Sequence, residues 1–144
     1  MKLLKMLYVV SMALLLVSSA AVADDFDWIR DFNIKAEADS SGFRARLATR
    51  FKIGDTQIKT VLNNVKKPAD AYMVLRLGEM SKQPTEYVIG KYKSGKGKGW
   101  GVLAKSLGIK PGSKEFHALK RGQNLYYDND RGKGKAKSKG KGRK

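Results

Sequence analysis

Apolar positions between residues 43 and 122 recur at intervals of three and four, and the stretches that carry them are separated by Gly, Pro, Ser and Asp. That spacing belongs to amphipathic helices, and the punctuation to caps and turns. A first helix starts at Ser40, Ser41 and Gly42, carries Phe43, Leu47 and Phe51 on one face and ends near Gly54. Asp55 is a good N-cap for a second over residues 56–66, where Ile58, Val61, Leu62 and Val65 fall at i, i+3, i+4 and i+7. Pro68 fits the first turn of a third helix that reaches about Met80. Apolar residues cover most of its circumference, which makes it the central element. Pro84 opens a fourth, with Tyr87, Val88 and Tyr92 toward the core. A fifth spans residues 100–107 and closes at a left-handed Gly108; Ser113 caps a sixth over residues 114–121, which stops at Gly122.

Five or six short helices joined by short turns describe an all-α fold, a compact bundle. The pattern changes upstream of it. Phe32, Ile34, Ala36 and Ala38 alternate with polar residues as a half-buried strand would, but no partner strand is evident. The other reading is an extended acidic segment lying across the domain.

Charge divides the chain further. Of the net +17, residues 24–42 contribute two bases against six acids, residues 43–127 contribute 18 bases against five acids, and residues 128–144 eight against two. Basicity therefore belongs to the helical body as well as to the tail. That tail alternates cations with small residues and has no apolar side chain larger than Ala136, so burial cannot offset its ordering entropy and it is expected to be disordered.

At the other end, Lys2 and Lys5 precede 18 uncharged residues, 6–23, that finish on Ala21-Val22-Ala23. A basic start, a short apolar stretch and an A-x-A end form the signal-peptide pattern, with export to the periplasm or the extracellular space. The alternative is an uncleaved membrane anchor, since this stretch is near the lower limit for a span. No second apolar segment follows. The expected organisation is a signal peptide at 1–23, an acidic segment at 24–42, a basic helical domain at 43–127 and a disordered Lys/Gly-rich tail at 128–144. The chain has no cysteine, so apolar burial alone must hold the domain together.

Cations on flexible segments release counterions from phosphate or sulfate polymers, an interaction that salt weakens. The expected polyanion-binding residues are Arg131, Lys133, Lys135, Lys137, Lys139, Lys141, Arg143 and Lys144 in the tail, with Lys93, Lys96 and Lys98 in a second Lys-Gly stretch at 93–99. That stretch lacks the G-x-x-x-x-G-K-[ST] spacing of a phosphate-cradling loop. It is either a mobile basic contact or a solvated linker. Trp100, Tyr126 and Tyr127 border the Lys-rich segments, where they either stack on bases or sugars or anchor loop ends in the core.

Residues 99–120 have the most distinctive wording. The first half resembles the front of a bacterial helix-turn-helix, with Ala104 facing a partner helix, Gly108 at the turn and apolar Ile109 after it. The resemblance then fails: Lys110-Pro111-Gly112-Ser113 lengthens the turn and Phe116 comes two places late. An ordinary helix-loop-helix packing unit is the competing reading. The same stretch and the Lys/Gly-rich ending resemble uncharacterised exported bacterial proteins in which G-W-G, L-G-I-K-P-G-S and E-F-H-A-L-K occur together. That resemblance implies export and a folded domain and carries no activity.

Enzyme signatures are sparse. His117 is the only histidine, which removes a multi-histidine metal site. Glu79 and Glu86 straddle a proline-marked turn and are explained as helix-end charges, while Asp128 and Asp130 lack the further ligands of a calcium loop. No serine lies in a G-x-S-x-G context. The expectation is a non-catalytic protein without metal or cofactor, binding anionic envelope polysaccharide, lipid head groups or extracellular nucleic acid. The alternative is a protein-interaction or structural role in which the charge only solubilises.

Overall fold

The structure, a computed structural model, describes residues 26–126, and every regular element among them is an α-helix. In order these are α1 Trp28–Ala38, α2 Ser40–Phe51, α3 Asp55–Asn64, α4 Pro68–Ser81, α5 Thr85–Ser94, α6 Trp100–Ser106 and α7 Lys114–Arg121. The all-α expectation holds for this region. Residues 1–25, which include the stretch expected to be a signal peptide, and residues 127–144, with Tyr127 and the expected tail, lie outside the described residues. No helix among those described is long and apolar enough to cross a membrane.

α1 corrects the expectation of an extended acidic segment. Trp28, Phe32 and Ala36 are spaced by four, and in a helix they share one face with Asn33. Phe32, Asn33 and Ala36 are buried there, whereas Ile34, counted inward by the alternation, is 58% exposed. The helical period wins because it brings the aromatic rings together. Phe32 lies 5.3 Å from Tyr72, 5.3 Å from Tyr126, 5.8 Å from Phe43 and 5.6 Å from Trp28, centroid to centroid. Full burial of one such side chain contributes about 1.5–3 kcal/mol. Asn33 adds a directional tie: its Oδ1 accepts the Ala69 N–H at 2.8 Å, satisfying one of the donors that the first turn of α4 leaves without a helical partner.

α4 is the central element, as its all-round apolar character predicts. Ala69, Ala71, Tyr72, Met73, Val74, Leu75, Leu77 and Gly78 are all buried, and the helix touches α1, α3 and α5. Lys67 is extended, as the residue before a proline must be, and its N–H donates to the Asp70 carboxylate at 3.2 Å.

One helix start agrees with the sequence reading, at Ser40, and one differs from it by a residue. α2 is capped by Asp39, whose Oδ1 accepts the Gly42 N–H at 2.9 Å. α3 has Gly54 rather than Asp55 as its N-cap: extended Gly54 already presents its carbonyl to Ile58 N. Asp55 instead sits in the first turn and pairs with Lys59 at 2.7 Å. On α5 the inward face is Val88 and Ile89, with Tyr92 half-buried beside them; Tyr87 is 47% exposed and does not face the core as expected.

The last two helices follow the predicted punctuation. Gly108 adopts φ +85°, and the Ile109 N–H returns to the Ala104 carbonyl at 3.0 Å, closing α6. Ser113 Oγ accepts the Phe116 N–H at 3.2 Å at the start of α7. Leu103, Ala104, Leu107, Ile109, Phe116 and Leu119 all join the common core, so α6 and α7 form a packing unit of the bundle. Beyond Gly122 the chain is pinned by side-chain hydrogen bonds. Gln123 Oε1 accepts from Leu125 N and Tyr126 N, while Asn124 Oδ1 accepts from the Tyr72 hydroxyl at 2.9 Å and from Arg50 Nε at 3.0 Å.

Candidate functional site

Lys93 ends α5 on the solvent side, and its Nζ donates to Asn64 Oδ1 at the end of α3. Lys98 is exposed in the following loop, where its N–H turns back to the Gly95 carbonyl at 3.0 Å. Of the three body lysines expected to bind polyanion, Lys96 lines a concave surface. The tail cations lie outside the described residues.

That surface is a cleft of about 410 Å³ between the α3–α4 turn, the end of α5 and α6. Lys66, Lys91 and Lys96 enter it from three different chain segments, and Trp100, Tyr92 and Leu103 supply its apolar wall. Gly95, Gly97 and Gly99 form the loop side, where side chains are absent and Lys96 alone projects among the lining glycines. Gly97 and Gly99 have φ of +81° and +83°, left-handed values that a side chain would strain. The Lys-Gly composition thus has a local cause in the turn that carries the chain from α5 into α6.

One carboxylate, Asp70, lines the cleft, and its Oδ2 is engaged. Tyr92 donates its hydroxyl to Asp70 Oδ2 at 2.8 Å, and the Lys67 N–H meets the same oxygen. Desolvation first, then the hydrogen bond and charge of Asp70, push the Tyr92 phenol up to about 12, so it stays protonated and donating. No described carboxylate forms an ion pair with Lys66, Lys91 or Lys96. Three cations against one hydrogen-bonded acid leave the cleft electropositive.

The aromatic wall is ordered by the same contacts. Trp100 stacks on Tyr92 with centroids 5.6 Å apart and planes 19° from parallel. Tyr87, one helical turn before Lys91, has the Lys91 ammonium 5.6 Å from its ring. Tyr126 is placed otherwise, against Phe32, with the Arg46 guanidinium 5.3 Å from its ring centroid. It anchors the end of the described chain, whereas Trp100 borders the cleft.

A larger depression of about 870 Å³ lies near the α4–α5 turn, and it brings Glu79 and Glu86 to one rim together with Arg50, Lys52 and Lys82. Arg50 grips Glu79 through both terminal nitrogens, at 2.9 and 3.0 Å, and Arg76 reaches the same carboxylate. The Arg50 hydrogen bonds hold the Glu79 carboxyl below its ordinary range, which suits an ion pair and not a proton donor at neutral pH. His117 is exposed on α7, flanked by buried Phe116 and Leu119, and no group of three or more His, Asp or Glu among the described residues is arranged to hold a metal ion.

Sequence reasoning missed Lys66, Lys91, Asp70 and Tyr92 as parts of one site. The sequence pattern puts Lys66 at the end of a helix and Tyr92 toward the core; only the packing of the α3–α4 turn beside α5 brings them together. The chain matches no protein-family model, no curated protein and no solved structure.

Proposed function

We propose that this protein is a non-catalytic binder of polyanions, exported to the periplasm or beyond, and that the cleft between α5 and α6 works together with the Lys/Gly-rich tail. The observation that carries this is the convergence of Lys66, Lys91 and Lys96 on one concave surface whose single acid is already occupied by Tyr92. Cations that pair with no described carboxylate have no ion pair to give up on meeting phosphate or sulfate. Their counterions are released on binding.

Export is supported by the lysine-led apolar start and the A-x-A end, and cleavage after Ala23 would leave α1 intact, since that helix begins at Trp28. Anionic polysaccharide, lipid head groups and nucleic acid are then the candidate polymers.

A salt titration of the protein lacking residues 1–23 tests the proposal, with duplex DNA, lipopolysaccharide and an acidic polysaccharide as ligands, each with and without residues 128–144. About six phosphate contacts on duplex DNA give a log-log slope of about −5. Salt-insensitive binding, or none to any of the three, defeats the proposal. The protein-interaction alternative predicts salt insensitivity and an apolar patch; among the described residues the exposed large apolar side chains are Ile34, Tyr87 and Val102, one each on α1, α5 and α6.

A further inference from the structure

We infer that Trp100, backed by Tyr92, is a stacking platform, and that the polymer the cleft takes is a single-stranded nucleic acid with an unpaired base on the indole and phosphates on Lys66, Lys91 and Lys96. This rests on the polyanion-binding proposal and narrows it to one class of polymer.

Charge alone would be enough for a sulfated polymer or a lipid head group, yet the cleft contains more than charge. Its wall is a nearly parallel aromatic pair, 19° apart, set beside three lysines that have no carboxylate partner among the described residues. The pair is held in place from behind. Asp70 fixes the Tyr92 hydroxyl, Tyr92 supports one side of the indole, and Asp70 is itself tied to the start of α4 through the Lys67 N–H. A flat ligand therefore meets a ring whose position is already set, and little ordering remains to be done on binding.

Outside the cleft lining, Tyr87 places an exposed aromatic ring against Lys91, in addition to half-buried Trp100 and Tyr92 within it. Aromatic rings together with lysines suit a chain in which phosphates and bases alternate. The cleft volume, about 410 Å³, lies toward the lower end of small-ligand pockets and suits one nucleotide better than a run of them. In a duplex the base faces are stacked on one another, so only an unpaired strand can present one to Trp100.

The experiment uses the full chain carrying Trp28→Phe, which leaves Trp100 as the only tryptophan. It is titrated with an oligothymidylate, with an abasic strand of the same length and charge, and with an acidic polysaccharide. Stacking of one base predicts that the oligothymidylate quenches Trp100 emission and binds about tenfold more tightly than the abasic strand. Trp100→Leu keeps apolar bulk against Tyr92 but removes the flat face, and should erase that difference; Trp100→Phe should keep most of it. Equal binding of the two strands, or equal binding of the polysaccharide, overturns the inference while leaving polyanion binding intact. If nothing binds, polyanion binding falls as well.

Discussion

The hydroxyl of Tyr92 donates to the carboxylate of Asp70 at 2.8 Å, and this one bond joins the central helix to the aromatic wall of the cleft. After desolvation, the bond is the next cause of how Tyr92 titrates. The phenol is raised from 10.0 to about 12 by desolvation and by Asp70, so the folded state holds that proton where the unfolded chain has lost it. The stabilisation is fully present below pH 10 and is lost as the pH rises toward 12. In a tyrosinate absorbance titration, Tyr92→Phe should remove a late transition near 12. Asp70→Asn should bring that transition down toward 10. A wild-type protein whose tyrosines have all ionised by about pH 11 would contradict the bond.

Replacing Lys66, Lys91 and Lys96 together by Gln tests whether the folded cleft contributes beyond the tail. Lys66 and Lys96 are exposed, Lys91 is half-buried against the Tyr87 ring, and none pairs with a described carboxylate, so the substitutions at 66 and 96 should each change stability by no more than about 0.5 kcal/mol. Loss of three phosphate contacts should make the salt slope on an oligothymidylate shallower by about 2. The comparison that decides is Lys98→Gln with Lys105→Gln and Lys110→Gln, an equal loss of charge at exposed positions outside the cleft lining. If both triple variants weaken binding alike, the cleft has no role of its own.

Helix ends and the identity of the central helix were legible because they depend on local chemistry. Ser113 capping α7, Gly108 closing α6, Pro68 opening α4 and the all-round apolar α4 itself were each read from a few adjacent residues. α1 was not, because Phe32, Ile34, Ala36 and Ala38 fit a period of two as well as Trp28, Phe32 and Ala36 fit a period of four. What separates the two is tertiary: Tyr72, Phe43 and Tyr126 surround Phe32 only when the segment is coiled. The candidate site was half legible for the same reason. Lys96 stood out through its Lys-Gly setting, while Lys66 and Lys91 sit in ordinary helix-end contexts, and their convergence is a product of how α3, α4 and α5 pack.

Acid should loosen the protein partly through Glu79. Its carboxyl is lowered from 4.5 chiefly by the hydrogen bonds from Arg50, so the folded state stays ionised where the unfolded chain takes up a proton. That contribution is present above pH 4.5 and disappears as the pH falls through the lowered value. Glu79 is partly open to solvent, so the effect is modest. Glu79→Gln should melt at a lower temperature than wild type at pH 7, with the gap narrowing below pH 4.5. A gap of constant size down to pH 2 would show that Arg50 and Glu79 gain nothing from the carboxylate charge.

The docking of α1 separates a structural role for the acidic segment from an electrostatic one. If the segment were held mainly by its charge against the basic body, neutralising Asp31 and Glu37, both exposed on α1, would weaken the fold and high salt would do the same. The structure instead seats α1 through Phe32, which is 1% exposed within the aromatic cluster, and through the Asn33 bond to Ala69. Phe32→Ala should therefore cost about 3–5 kcal/mol by urea denaturation. Asn33→Ala leaves a buried N–H on α4 without its partner and should cost about 1–3 kcal/mol. Asp31→Asn with Glu37→Gln should cost less than either, at low and high salt alike. A double charge variant as unstable as Phe32→Ala would return the segment to the electrostatic account.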